Sequence, residues 1–155
     1  MLPFSDFKPA NPDYRQEVER VLTAAPFIQY LGLQADKIEP GLCYTRLKVR
    51  EDHQQQDGFV HAGVQATLCD HTAGAAGATL MPAGNIVLTA EFKINLLRPG
   101  AGKYLVCKAA VLKPGNTLSI AESMLFALPE EDSVEEEWNL IAKATVTLAI
   151  VKTRS

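Results

Sequence analysis

An α+β domain, with an antiparallel sheet around one buried helix, follows from three features of this 155-residue chain. The first is the stretch from Gln55 to Met81, mostly Ala, Gly, Thr and apolar residues, with the acid Asp70 in its middle. An Ala-rich run of this length favours helix. A helix that is small and weakly polar on every side is buried on every side. The second is that the flanking segments alternate in polarity and are separated by Pro-Gly turns, which predicts antiparallel strands. The third is length: 155 residues suit one domain with a real core, and neither a repeat nor a linker divides them.

Taken in order, Asn11-Pro12-Asp13 opens a helix over about 12–24, with Asn11 as N-cap and Pro12 at the first helical position. Tyr14, Val18, Val21 and Leu22 recur at helical spacing, and Pro26 ends the run. Leu31 to Glu39 alternates loosely up to the turn Pro40-Gly41, and Leu42 to Val49 alternates well, so the two predict a hairpin. A loop from Arg50 to Asp57 leads into the long helix, which Pro82-Ala83-Gly84 closes. Its glycines at 74 and 77 each cost roughly 1 kcal/mol relative to Ala, and close approach by other backbones is the expected return. Four strands follow: Ile86 to Leu97, Tyr104 to Leu112, Thr117 to Leu128 and Leu140 to Val151. In the last, Ala144, Val146, Leu148 and Ile150 face one way, and Lys143, Thr145 and Thr147 the other.

Composition is that of an ordinary globular chain, 47% hydrophobic and 21% charged. No apolar run approaches the ~20 residues of a membrane span. The segment Met1 to Lys8 lacks a basic region followed by an apolar core, so no signal peptide is expected. Cys43, Cys69 and Cys107 lie far apart and in no metal-ligand spacing, which suits a reducing cytoplasm and gives no metal site. The net charge of −3 is uneven. Glu130, Glu131, Asp132, Glu135, Glu136 and Glu137 are six of the 18 acids, leaving 12 against 15 basic residues elsewhere. This run reads as a solvated loop, or as one kept apart from an anionic ligand on the body. No basic stripe with interleaved aromatics points to nucleic acid.

The central stretch also carries a spaced set of functional residue types. Gln55 stands six residues before His61-Ala62-Gly63, and Leu68-Cys69-Asp70 places Asp70 nine residues after His61. Thr89 lies on the next strand, which ends in Asn95-Leu96-Leu97-Arg98-Pro99. Over roughly residues 27 to 151 this resembles the phenylacetate-pathway (PaaI-type) acyl-CoA thioesterases. Their pattern is Asn or Gln, His-Gly-Gly, Leu-x-Asp, then a strand ending Phe-Leu-Arg-Pro. The resemblance implies the hotdog fold, a curled antiparallel sheet wrapped around one long central helix. It implies an acyl-CoA substrate, with coenzyme A entering as part of that substrate and no other cofactor. It also implies a homodimer or homotetramer in which two subunits join their sheets. Each site then takes the helix Asp from one chain and the Gln, His and oxyanion donors from the other. Two positions depart from the pattern. Ala62 replaces the first Gly of the pair but keeps the backbone N–H, and Asn116 stands where many members place Arg or Lys.

Thioester hydrolysis needs a polarised carbonyl and an attacking oxygen. The N–H groups of Ala62 and Gly63, at the helix N-terminus, are the expected oxyanion donors; the alternative is that they only let the loop turn tightly. Asp70, a mid-helix carboxylate, is the candidate general base or nucleophile. Its alternatives are an N-cap of a shorter helix or an exposed acid. Gln55 is read as an amide donor to the thioester oxygen or to water, or as a solvated loop residue. His61 follows the family as a residue that fixes the loop. Thr89 is read as holding the attacking water or as an ordinary strand residue. His71 points elsewhere than Asp70 and is read as packing or surface. Lys93, Arg98 and Lys113 are candidates for the coenzyme phosphates, or plain surface charges. Phe92, Leu96, Leu80 and Met81 are candidates for the acyl end. A hotdog dehydratase or hydratase is the other enzymatic reading, but its Phe-Pro-x-x-Pro or His-x-Asp signature is missing. A non-catalytic acyl-CoA binder is the reading outside enzymology.

Overall fold

The computed structural model describes residues 6–154. Residues 1–5 and 155 of the expected domain, with most of the segment read for a signal peptide, lie outside the described residues.

Helix α1 spans Tyr14–Ala24 and buries Val18 and Leu22. Its N-cap is Asp13, which makes no side-chain cap bond. Asn11, the expected cap, instead accepts a 3.0 Å bond from the Asp13 N–H and so shapes the turn just before the helix. Pro26 does stop α1, because the residue before a proline is pushed to extended backbone, here Ala25. The same proline then starts a second helix, α2 (Pro26–Leu31), from its first position. Gly32, left-handed at φ 83°, caps it. This unexpected helix delays the first strand, which begins at Gln34 rather than near Leu31.

The strands are β1 (Gln34–Glu39), β2 (Leu42–Lys48), β3 (Asn85–Leu96), β4 (Tyr104–Lys113), β5 (Leu118–Leu128) and β6 (Asn139–Lys152). They form one antiparallel sheet in the order β1-β2-β4-β5-β6-β3. Between β2 and β3 runs α3 (Ala62–Ala78), which packs against β2 through β6. The excursion through α3 carries the chain across the sheet, so β3 lands at the far edge beside β6.

Small residues let α3 lie close to the sheet. Leu68, Cys69, Ala73 and Ala76 meet Leu105, Cys107, Leu125 and Val146 in one core. Each fully buried aliphatic side chain contributes about 1.5–3 kcal/mol. Polar pairs fix the register of helix on sheet. The Thr72 and Thr45 hydroxyls are 2.7 Å apart, and the Cys69 and Cys107 thiols hydrogen-bond. All three cysteines are buried and free, and burial pushes the Cys43 thiol up to about 12. The helix glycines differ from the expected backbone contact. A Cβ at Gly77 would sit 2.5 Å from the Leu148 side chain, whereas one at Gly74 would meet nothing within 4 Å.

The acidic loop is more tethered than a solvated run. Lys103 pairs with Glu130, the Tyr104 hydroxyl donates to Glu131 at 3.1 Å, and Lys108 meets Glu135 at 2.6 Å. Lys108 also lies 4.6 Å from the centre of the Trp138 ring, a cation–π contact. The loop therefore folds onto the sheet face opposite α3.

Candidate active site

The segment before α3 is built to hold still. Glu51–His53 forms one tight helical turn around the buried His53. His53 Nδ1 accepts from the Arg50 N–H at 3.0 Å, and the His53 carbonyl accepts from the His61 N–H at 2.9 Å. The Arg50 guanidinium donates to the carbonyls of Leu31 and Tyr30 at 2.9 and 2.8 Å. Burial lowers the His53 pKa, so the ring is held neutral. On this anchored segment the Gln55 side-chain oxygen accepts from the Asp57 N–H. The Gln55 amide nitrogen has no acceptor among the described residues and remains available as a donor.

His61 is the N-cap of α3, its Nδ1 accepting from the Gly63 N–H at 2.8 Å. A helix start leaves donors unsatisfied, and a cap engages one of them. Here the cap engages Gly63, one of the two N–H groups read as oxyanion donors. The Ala62 N–H has no acceptor among the described residues, so it is the free donor of that turn.

Asp70 lies well inside α3, which excludes the N-cap alternative. It is half-buried, and the Thr89 hydroxyl donates to its Oδ1 at 2.7 Å across the gap between α3 and β3. Thr89 thus orients the carboxylate itself. Both line a cavity of about 140 Å³. Its apolar wall is Val21 from α1, Gly74 and Ala78 from α3, then Met81, Ile86 and Val87. Glu17 and Arg20 stand at its rim and pair with each other at 2.6 Å. The Arg20 hydrogen bond holds the Glu17 carboxyl below its usual value.

His71 lines the same cavity. It hydrogen-bonds the backbone of Val21, and its Nε2 is buried without a partner. Desolvation lowers its pKa and keeps the ring uncharged. Adjacent helix residues diverge by about 100°, but α1 lies over both directions. The sequence signal for this was the apolar stripe of α1, which had to cover something. Met81 alone of the expected acyl-end residues lines the cavity as read; Phe92 and Leu96 are exposed on β3.

The other half of the expected set lies elsewhere. Gln55, Phe59, Ala62, Gln65 and Arg98 line an open groove of about 400 Å³. The eight residue steps from Ala62 to Asp70 span about 12 Å of helix axis. One thioester carbon cannot touch both ends of that distance. Arg98 donates to the Leu140 carbonyl at 2.7 Å, Lys93 lies along β3, and Lys113 ends β4, with β5 and β6 lying between the two strands. The three cations are not gathered within one chain. Among the described residues, no cluster of His, Cys, Asp and Glu could hold a metal ion, and no helix is long and apolar enough to cross a membrane.

β3 is the terminal strand of the sheet and pairs only with β6 among the described residues. Leu88, Phe92 and Leu96 along it are 51%, 39% and 49% exposed.

Residues 57–132 match the thioesterase superfamily. A thioesterase family protein of known crystal structure from Silicibacter pomeroyi is 34% identical; the match covers 90% of this chain and 99% of that one, with a TM-score of 0.84. A Halobacterium salinarum protein provisionally described as an esterase is 31% identical over 101 residues, 61% of this chain and 66% of its own length. The 1,4-dihydroxy-2-naphthoyl-CoA hydrolase of Listeria monocytogenes is 23% identical over 124 residues, covering 80% and 94%. With 34% of residues shared along nearly the whole of the Silicibacter pomeroyi protein, and a six-stranded antiparallel sheet around one long helix, the chain has the hotdog fold and belongs to the thioesterase superfamily.

Proposed function

We propose that the chain is an acyl-CoA thioesterase, of the PaaI-type that the Gln55, His61 and Asp70 spacing resembles, with each site shared between two copies. The observation that carries the chemistry is the Asp70 carboxylate, held at 2.7 Å by Thr89 beside an apolar cavity. Asp70 acts as general base on water or as nucleophile at the thioester carbon. The Ala62 N–H, at the positive end of α3, stabilises the oxyanion, and the Gln55 amide donates beside it. When water attacks, its tetrahedral intermediate collapses with loss of the coenzyme A thiolate to the free acid. When Asp70 attacks, the same collapse leaves an anhydride of Asp70 and the acyl group, which water then hydrolyses to the free acid and the Asp70 carboxylate. The naphthoyl-CoA hydrolase among the relatives supports coenzyme A as the thiol carrier.

The shared site follows from the ~12 Å between the two halves within one chain. The free edge of β3, long and apolar, supports pairing with the β3 of a second copy. In that dimer, or a tetramer built from two of them, Asp70 and Thr89 of one chain face Gln55 and Ala62 of the other. Lys93, Arg98 and Lys113, scattered in one chain, then meet the coenzyme phosphates from two.

The test is a thiol-release screen over short, medium, long and aromatic acyl-CoAs, with light scattering on the same sample. Release of one thiol per acyl-CoA by an oligomer is the expected result. Tight binding of acyl-CoA without thiol release makes the chain a binder, and a fully active monomer refutes the shared site.

A further inference from the structure

The two glycines of α3 need different explanations. Gly77 has a packing reason, since a Cβ there would strike Leu148. Gly74 has none: a Cβ would meet no atom within 4 Å. A glycine inside a helix costs roughly 1 kcal/mol relative to Ala, and no neighbour in this chain requires it. What its missing side chain leaves open is the 140 Å³ cavity. Gly74 also stands four residues after Asp70, on the same helix face and one turn along. An acyl group whose carbonyl carbon is at Asp70 therefore extends over Gly74.

We propose that Gly74 and helix α1 set the size of the acyl group: the cavity takes an uncharged acyl no bulkier than a single six-membered ring, or an aliphatic chain of equal bulk. This deepens, and rests on, the thioesterase reading above. The bound comes from volume, since an apolar cavity of about 150 Å³ holds one benzene molecule. Glu17 and Arg20 of α1, with Met81 and Ile86, line both this cavity and a neighbouring pocket, so a longer chain continues only past those side chains. The uncharged character follows from the lining. Glu17 and Arg20 pair with each other at the rim, and His71 is neutral, which leaves Asp70 as the sole unpaired charge among the lining residues.

The experiment compares acetyl-, benzoyl- and dodecanoyl-CoA on the wild-type oligomer and on Gly74→Ala and Gly74→Val. The wild type should favour benzoyl-CoA over dodecanoyl-CoA. Since one methylene in a filled pocket changes kcat/KM by about 10–200-fold, Gly74→Val should lose at least tenfold on benzoyl-CoA and little on acetyl-CoA. Gly74→Ala should fall between and melt at or above the wild-type temperature, because it adds helix propensity without a clash. Equal rates on dodecanoyl- and benzoyl-CoA, or an unchanged profile in a folded Gly74→Val, overturn the proposal. If the wild type hydrolyses none of the three, the thioesterase reading fails, and the pocket is judged by binding of the inert thioethers S-benzyl-CoA and S-dodecyl-CoA. Binding of S-benzyl-CoA that Gly74→Val weakens at least tenfold upholds it; identical binding to both proteins overturns it.

Discussion

Replacing Asp70 by Asn separates chemistry from structure more cleanly than any other single change. The shape is nearly conserved, and the Asn carbonyl oxygen still accepts from the Thr89 hydroxyl that now donates to Oδ1 at 2.7 Å. A hydrogen bond to a charged group is worth about 1.5–3 kcal/mol and a neutral one about 0.5–1.5, so the swap costs about 1 kcal/mol before solvent screening. Asp70 is half-buried, so the cost is smaller still. In a chain of this length that lowers Tm by no more than about 2–4 °C. The rate should respond on another scale. Losing a positioned general base removes about 10²–10⁴ from kcat, or about 2.7–5.4 kcal/mol of transition-state stabilisation. Thiol release reads this directly, because the three protein cysteines are buried and do not compete for the thiol reagent. A variant that melts normally and turns over at near wild-type rate refutes Asp70 as the reacting carboxylate.

Other consequences are smaller but equally specific. Gly77→Ala should lower the denaturant midpoint, because overpacking against Leu148 costs about 1–3 kcal/mol and helix propensity returns only about 1; an unchanged midpoint contradicts the contact. His53 and His71 are both held neutral below the ordinary histidine pKa of 6.5. The unfolded chain binds protons near 6.5 that the folded chain refuses, so stability should be level above that pH and fall as pH drops below it. Melting curves from pH 8 to 5 check this, and a His53→Gln, His71→Gln double variant should show a flatter acid limb. If Lys93, Arg98 and Lys113 meet coenzyme phosphates, their Ala variants should raise KM with kcat nearly constant, and the effect should shrink in salt. Wild-type KM at low salt in all three places the coenzyme elsewhere.

The sheet was legible because each strand is bounded by a strong breaker and alternates between them. β2, β4, β5 and β6 fall within a residue or so of their expected limits, and Val146 and Leu148 are buried as the alternation requires. The order of strands was not legible, since alternation says which face is buried and nothing of the neighbour. Helix α2 was missed because Pro26 is both a stop and a start, and six residues are too few to show a period. At the site, Asp70 stood out as a lone acid in an apolar helix, and Thr89 came from its family position. That Thr89 bonds Asp70 directly depends on the packing of β3 against α3, which residue types do not encode. Likewise, whether His61 or a substrate takes the Gly63 N–H is a matter of side-chain geometry at a helix start. Arg20, His71 and Gly74 acquire their roles only because α1 folds over the helix beside Asp70.

The central claim is that two chains build each site, and subunit mixing tests it most directly. Asp70→Asn removes the carboxylate. Ala62→Pro removes the free N–H at the first position of α3, where proline is tolerated and His61 already has the extended backbone (ψ 139°) that a following proline demands. Alone, Ala62→Pro should fold and lose about 10²–10³ in kcat. In a symmetric mixed dimer of the two variants, one site collects both defects and the other collects neither. Random assortment makes half of the dimers mixed, so denaturing and refolding the two inactive proteins together should restore about a quarter of wild-type activity. Activity no higher than the sum of the separate variants, in a sample shown to contain the mixed dimer, contradicts the shared site.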